Sequence, residues 1–317
     1  MLDETERPRR GAVRTRVYWL RLAQLFLVAL VGALFLLPFL MGAFSMWVLT
    51  RGLCVPGGSP ADRTMPYEDI LFPSARGITQ QGYFIPGTNG ATIILIPAFK
   101  GGRGSELYYA EVFHRAGFNV LTFNSRVCTS QGWISLGYQE VEDVEAAYEY
   151  LKTRPDVDAA RVGLHGFSSA GATGLMAMAR MPAIRSVSAE GGYHDYAEML
   201  GWGRSTNFFD TLYQLGAVAA YPLLTGGDIH DLNPLDAIGK IGPRPVLLVY
   251  GSREVSLAGA RLMLERARAN GVDADLWVVE GAGHGGYLWA APDEFVTRVV
   301  GFHEAALLGV QDGESPS

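Results

Sequence analysis

Apolar and polar positions divide the chain into one long apolar block followed by short apolar runs alternating with helix-spaced stretches. The block covers residues 22–50 and contains no charged residue. A spanning helix needs about 20 such residues, so the run is long enough even with Pro38 kinking it. Tyr18, Trp19 and Trp47 lie near its ends, where amphipathic rings favour a membrane interface. Beyond residue 66 the pattern predicts an antiparallel pair of strands at 68–73 and 77–85. The segment TIILI at 92–96 is a continuous, largely β-branched run, as expected of a strand covered on both faces. Further strands are expected at 119–123, 161–164, 184–189, 245–250 and 275–279. Helical spacing covers 106–116, 138–152, 169–180, 257–270 and 293–308. Strands alternating with helices predict an α/β fold around a mostly parallel sheet. Residues 191–240 show no regular period and hold Trp202, Phe208, Phe209 and Tyr213. They are expected to form a small cap that shapes an apolar pocket.

Charge sharpens the reading of the block. Arg7, Arg9, Arg10, Arg14, Arg16 and Arg21 precede it against only Asp3, Glu4 and Glu6, while the 317-residue chain carries a formal −6. The positive-inside rule then puts the N-terminus in the cytoplasm and residue 51 onward on the other side. An acidic globular part argues against a nucleic-acid partner. The competing reading is a cleaved signal peptide, but the run is long for one and no A-x-A site follows it. Arg51-Gly52-Leu53 before Cys54 does not suit lipoprotein processing. The expected organisation is a basic cytoplasmic arm (1–21), a transmembrane anchor (22–50), a Gly/Pro/Ser-rich linker (51–65), one large domain (66–310) and a polar tail (311–317). The two cysteines, Cys54 and Cys128, show no zinc spacing. They are expected to be unrelated thiols, although export allows them to pair.

Chemistry concentrates around RVGLHGFSSAG, where an expected strand meets a sharp small-residue turn and then a helix. A G-x-S-x-G elbow in that context lifts a serine hydroxyl off a sheet edge. Here the residues are Gly166-Phe167-Ser168-Ser169-Ala170-Gly171, with Ser168 in the nucleophile register and Ala170 in place of the second glycine. Ser169 is the rival nucleophile, better suited to offer its backbone N–H to an oxyanion. Both serines otherwise serve as helix caps. A serine needs a base. Of six histidines, His284 stands in a glycine-rich loop, Gly281-Ala282-Gly283-His284-Gly285-Gly286, between the last strand and helix. His114, His165 and His303 read as structural, and His194 and His230 as residues that can line a pocket. The orienting carboxylate is expected after PVLLVY, where Glu254 is the sole acid in the turn. A second oxyanion N–H is expected from Phe99 in the loop after TIILI. The order Ser168, Glu254, His284 suits this fold.

With these residues placed, the chain resembles the α/β-hydrolase superfamily, most closely its BEM46-like or ABHD13-like branch. MPYEDILFPSARGITQQGYFIPG, AAYEYLKTRPDVDAARVGLHGFSSAGA and NPLDAIGKIGPRPVLLVYGSRE carry the resemblance, which spans about residues 66–305. It implies a membrane-anchored serine hydrolase with an acyl-compound substrate and no metal or cofactor. Three positions depart from the pattern. Pro97-Ala98 replaces the usual His-Gly, Ala170 replaces glycine, and Glu254 stands where Asp is more frequent. A serine peptidase on the same fold is the enzymatic alternative, although no propeller-like repeats precede the domain. A catalytically silent binding protein is the non-enzymatic one.

Overall fold

The computed structural model describes residues 9–200 and 207–309. Arg7, Trp202 and the expected tail 311–317 lie outside the described residues.

Eight strands form one sheet. They are β1 (Glu68–Pro73), β2 (Thr79–Ile85), β3 (Thr92–Ile96), β4 (Asn119–Phe123), β5 (Val162–Phe167), β6 (Ser186–Glu190), β7 (Val246–Gly251) and β8 (Ala274–Val279). Their order is β8-β7-β6-β5-β3-β4-β2-β1, antiparallel at β1–β2 and β2–β4 and parallel elsewhere. The β3, β4, β6 and β7 positions are all buried, as the apolar runs of β3 and β7 require and although β4 and β6 also carry polar residues. Helices α2 (Leu107–Arg115), α3 (Glu140–Lys152), α4 (Ser169–Arg180), α5 (Phe208–Thr225) and α6 (Leu257–Ala269) follow the long N-terminal α1 (Arg9–Thr50). Two apolar cores, one on each face of the sheet, separate it from these helices.

Four sequence expectations change. β5 runs on through Phe167, so the sharp turn falls on Ser168 alone. The last helix is not continuous, because a π-helical turn at Val296–Val300 divides it. The region 191–240 contains the 18-residue α5, whose sequence is apolar nearly all round and so lacks a readable period. Its support is tertiary, since it packs along the end of α1. A Cβ on Gly216 would stand 1.9 Å from the Phe39 carbonyl oxygen, and one on Gly42 1.8 Å from that of Tyr213, so both glycines are needed for the approach.

The cysteines are the fourth change. Cys54 and Cys128 form a disulfide with Cα atoms 4.9 Å apart, contrary to the expectation of unrelated thiols. Nothing in their sequence context signals this, because only folding brings positions 54 and 128 together. The bond lies in the stretch expected as a linker, and Val55–Gly57 also pairs in parallel with Gly101–Gly104. A short helical turn, Pro60–Arg63, is capped by Ser59. The exit of α1 is thereby fastened to the domain.

Candidate active site

Ser168 stands at the junction of β5 and α4 with φ 57° and ψ −126°. Such a conformation costs a non-glycine residue about 1–3 kcal/mol. Its N–H donates to the Glu190 carbonyl of neighbouring β6 at 2.7 Å, which holds the turn. A Cβ on Gly166 would lie 2.5 Å from the Ala170 backbone, and one on Gly171 2.9 Å from the Gly166 carbonyl oxygen. The close approach expected of the motif's second glycine therefore falls on Gly171, and Ala170 packs in the core.

His284, on the loop after β8, reaches both partners. Its Nε2 is 3.0 Å from Ser168 Oγ and its Nδ1 is 2.7 Å from Glu254 Oε1. An ionised carboxylate only accepts, so in the neutral ring Nδ1 carries the proton and Nε2 turns its lone pair to the serine. Glu254 follows β7 and is buried. Its Oε2 accepts from the Gly251 N–H at 2.8 Å and the Tyr287 hydroxyl at 2.6 Å, and its Oε1 from the Ser256 hydroxyl at 2.9 Å. Burial pushes this carboxyl up, but the bonds from His284, Tyr287, Gly251 and Ser256 outweigh it and hold it below the usual carboxylate range.

Phe99 sits on the loop after β3 with φ 44°. Its N–H donates to Ser169 Oγ at 3.1 Å, and its carbonyl accepts from Ser125 Oγ at 2.7 Å. At rest this N–H is thus turned toward α4 and engaged by a hydroxyl. Ser169 opens α4, where the first N–H groups have no intrahelical acceptor. A cavity of about 550 Å³ lies over these residues at the carboxyl ends of the strands, walled by Leu136, Tyr193, Tyr196, Met199 and Val255. His165 and His303 are buried and hydrogen-bonded to Ser188 and Ser186, as structural histidines should be. Neither His194 nor His230 lines this cavity.

Three contributors escaped the sequence reading. Gly191, with φ 58°, ends β6, and a Cβ there would stand 2.5 Å from Tyr287 Oη, 2.9 Å from Glu254 Oε1 and 3.1 Å from His284 Nδ1. The Gly191-Gly192 pair after an expected strand was a usable signal. Tyr287 and Ser256 carried none, since their donation to Glu254 is a product of the fold.

Comparisons with known proteins bear on the family and the fold. A sequence model of the prolyl oligopeptidase family matches residues 108–308. The chain is 31% identical to the thiohydrolase apmlB of Arthrinium phaeospermum over 130 residues, 38% of this chain and 42% of that protein. It is 24% identical to the α/β-hydrolase domain-containing protein WAV2 of Arabidopsis thaliana over 227 residues, 67% of this chain and 69% of that one. Among solved structures, the Pyrococcus furiosus esterase Pf2001 superposes with a TM-score of 0.67 at 22% identity, covering 82% of this chain and 98% of the esterase. The Pyrococcus horikoshii acylaminoacyl peptidase superposes at 0.60 and 16% identity over 79% of this chain and 43% of the peptidase. The chain is a serine hydrolase of the α/β-hydrolase fold and belongs to the prolyl oligopeptidase family.

Proposed function

We propose that the protein is a membrane-anchored hydrolase that cleaves an ester or related acyl bond through an acyl-enzyme on Ser168. One observation carries this reading: His284 bridges Ser168 and Glu254 at 3.0 and 2.7 Å. His284 accepts the Ser168 proton as Oγ attacks the acyl carbon, and Glu254 holds the ring and stabilises its charged form. The N–H groups of Phe99 and Ser169 receive the oxyanion, with Ser169 Oγ giving up its bond to Phe99. The imidazolium returns the proton to the leaving group. Water, activated by the same histidine, then releases the acid.

The likeness to a thiohydrolase and an esterase supports an acyl substrate, and the resemblance to the BEM46-like or ABHD13-like branch supports the anchor. α1 includes a 37-residue stretch, Arg14–Thr50, long and apolar enough to cross a membrane. Removal of this segment as a signal peptide would strip packed structure, because Met46 and Thr50 are fully buried. It would also break the bond from Lys100 Nζ to the Val48 carbonyl. The disulfide supports an oxidising compartment for the domain, on the side the positive-inside rule assigns it.

Fluorophosphonate labelling tests the site. Wild type is expected to label and Ser168→Ala to remain blank. An unlabelled wild type favours the silent binding protein, and a labelled Ser168→Ala removes Ser168 as nucleophile. The likeness to an acylaminoacyl peptidase makes a peptidase the second reading. A panel of acyl esters and peptide amides separates the two. A C-terminal tag shielded from protease in intact cells would reverse the orientation.

A further inference from the structure

α5 lies parallel to the last turns of α1. The Phe208 and Phe35 rings are 5.4 Å apart at one end, Gly216 meets Phe39 along the crossing, and Leu224 accepts from Arg51 at the other. Whatever depth residues 35–51 take relative to a bilayer, α5 shares it. An apolar stretch starting at residue 22 crosses the hydrocarbon by about position 41. The first turns of α5, level with residues 35–41, then run through the last part of the acyl region up to the headgroup boundary. Those turns present Phe208 and Phe209, 53% and 49% exposed, and Leu215 follows at 52%. Among the described residues they continue the exposed apolar surface of Phe35, Leu37, Leu40 and Met41 on α1 without interruption by a cation. The one acid in α5, Asp210, accepts from Asn207 Nδ2 at 2.8 Å. An aromatic and polar mixture of this kind suits the interface rather than the acyl core.

The same helix packs behind one cavity wall, without lining the cavity itself. Tyr196, a cavity wall, belongs to one buried cluster with Met46 of α1 and Ala217 and Tyr221 of α5. The Tyr196 phenol is pushed up by burial and then by the neighbouring Tyr213 hydroxyl of α5. On the opposite wall, the Phe99–Lys100 loop is tied to the end of α1 through Lys100 Nζ. Tyr196 thus stands between the space over Ser168 and α5.

We propose that α5 is a second membrane-contacting element, seated in the headgroup–acyl boundary beside α1, and that the cavity takes an acyl amphiphile resident in that leaflet. This rests on the anchored-hydrolase reading above. The bond cleaved is the amphiphile's acyl ester, which takes up one water and yields the fatty acid and the alcohol.

The test uses the full-length protein in phosphatidylcholine/phosphatidylglycerol nanodiscs. Both native cysteines are engaged in the disulfide, so Phe209→Cys, Leu215→Cys and Leu223→Cys each offer a single thiol for a nitroxide. Leu27→Cys marks the deep bilayer and Glu149→Cys the aqueous phase. Collision with oxygen relative to a water-soluble nickel chelate should be high at 209, intermediate at 215 and low at 223. An aqueous value at 209 overturns the proposal, as does shielding from both reagents, which would mean that a second protein surface covers α5. In a second arm, Phe208→Ser/Phe209→Ser should lower the ratio of turnover on a long-chain ester in the nanodisc to turnover on a soluble butyrate by roughly tenfold. An unchanged ratio overturns the substrate class. A wild type that binds as expected at 209 but takes neither fluorophosphonate nor butyrate defeats the hydrolase reading and leaves the α5 contact standing.

Discussion

Glu190 and Glu254 lie within one layer of the site, at the ends of neighbouring strands, and both are buried. Their charge states diverge. Glu254 receives two hydroxyls, a backbone N–H and the imidazole, and is held below the usual carboxylate range. Glu190 receives only the Tyr109 hydroxyl on Oε2, and its Oε1 has no hydrogen-bond partner among the described residues. Burial therefore dominates and, with Glu106 and Glu254 adding repulsion against the opposing Tyr109 bond, raises Glu190 to about 8. Depth alone does not set the charge of an interior carboxyl. The number of donors aimed at it does, and only the donor-rich one is suited to steady a developing imidazolium.

The sharpest way to break the contrast is to swap both acids for amides. Glu254→Gln presents an amide where the ring needs an acceptor and should cut kcat by about 10³–10⁴-fold with the fold intact. Glu190→Gln should leave kcat within about threefold, measured on the same ester. Next comes Gly191→Ala, which forces a methyl against Tyr287, Glu254 and His284 at a left-handed φ. A shift of the ring by about 1 Å is worth roughly 10²-fold in kcat, visible at unchanged far-UV circular dichroism. Tyr287→Phe removes one donor from Glu254. It should cost about 1–3 kcal/mol in denaturant unfolding and move the Glu254 carboxyl upward, so that the acid limb of kcat/KM moves to higher pH. A limb moving the other way would refute the account of Glu254.

The smallest effect is a slope. Glu190 binds its proton more tightly folded than unfolded, so its contribution to stability is full below the unfolded value near 4.5 and drains away as pH rises through about 8. Between pH 6 and 9 wild type should lose about 2–3 kcal/mol from this group. Glu190→Gln should remove that part of the slope in thermal unfolding. Glu254 has the opposite sign, stabilising above its unfolded value and failing as pH falls, and is silent in this window.

The sequence alone determined what depends on neighbours in the chain. The largely β-branched TIILI predicts a buried strand, Gly166 and the small residues after Ser168 predict the elbow, and a charge-free run of residues 22–50 predicts a helix fit to span a bilayer. The order Ser168, Glu254, His284 was readable because each lies in a turn after an expected strand. Tertiary structure decided whatever needs two distant segments to meet. The 54–128 disulfide, the Tyr287 and Ser256 bonds that keep Glu254 ionised, and the resting bond between Phe99 and Ser169 have no local pattern. α5 went unseen for the same reason. An apolar helix without a polar face has no period to read, and what stabilises it is the surface of α1, which only the folded chain supplies.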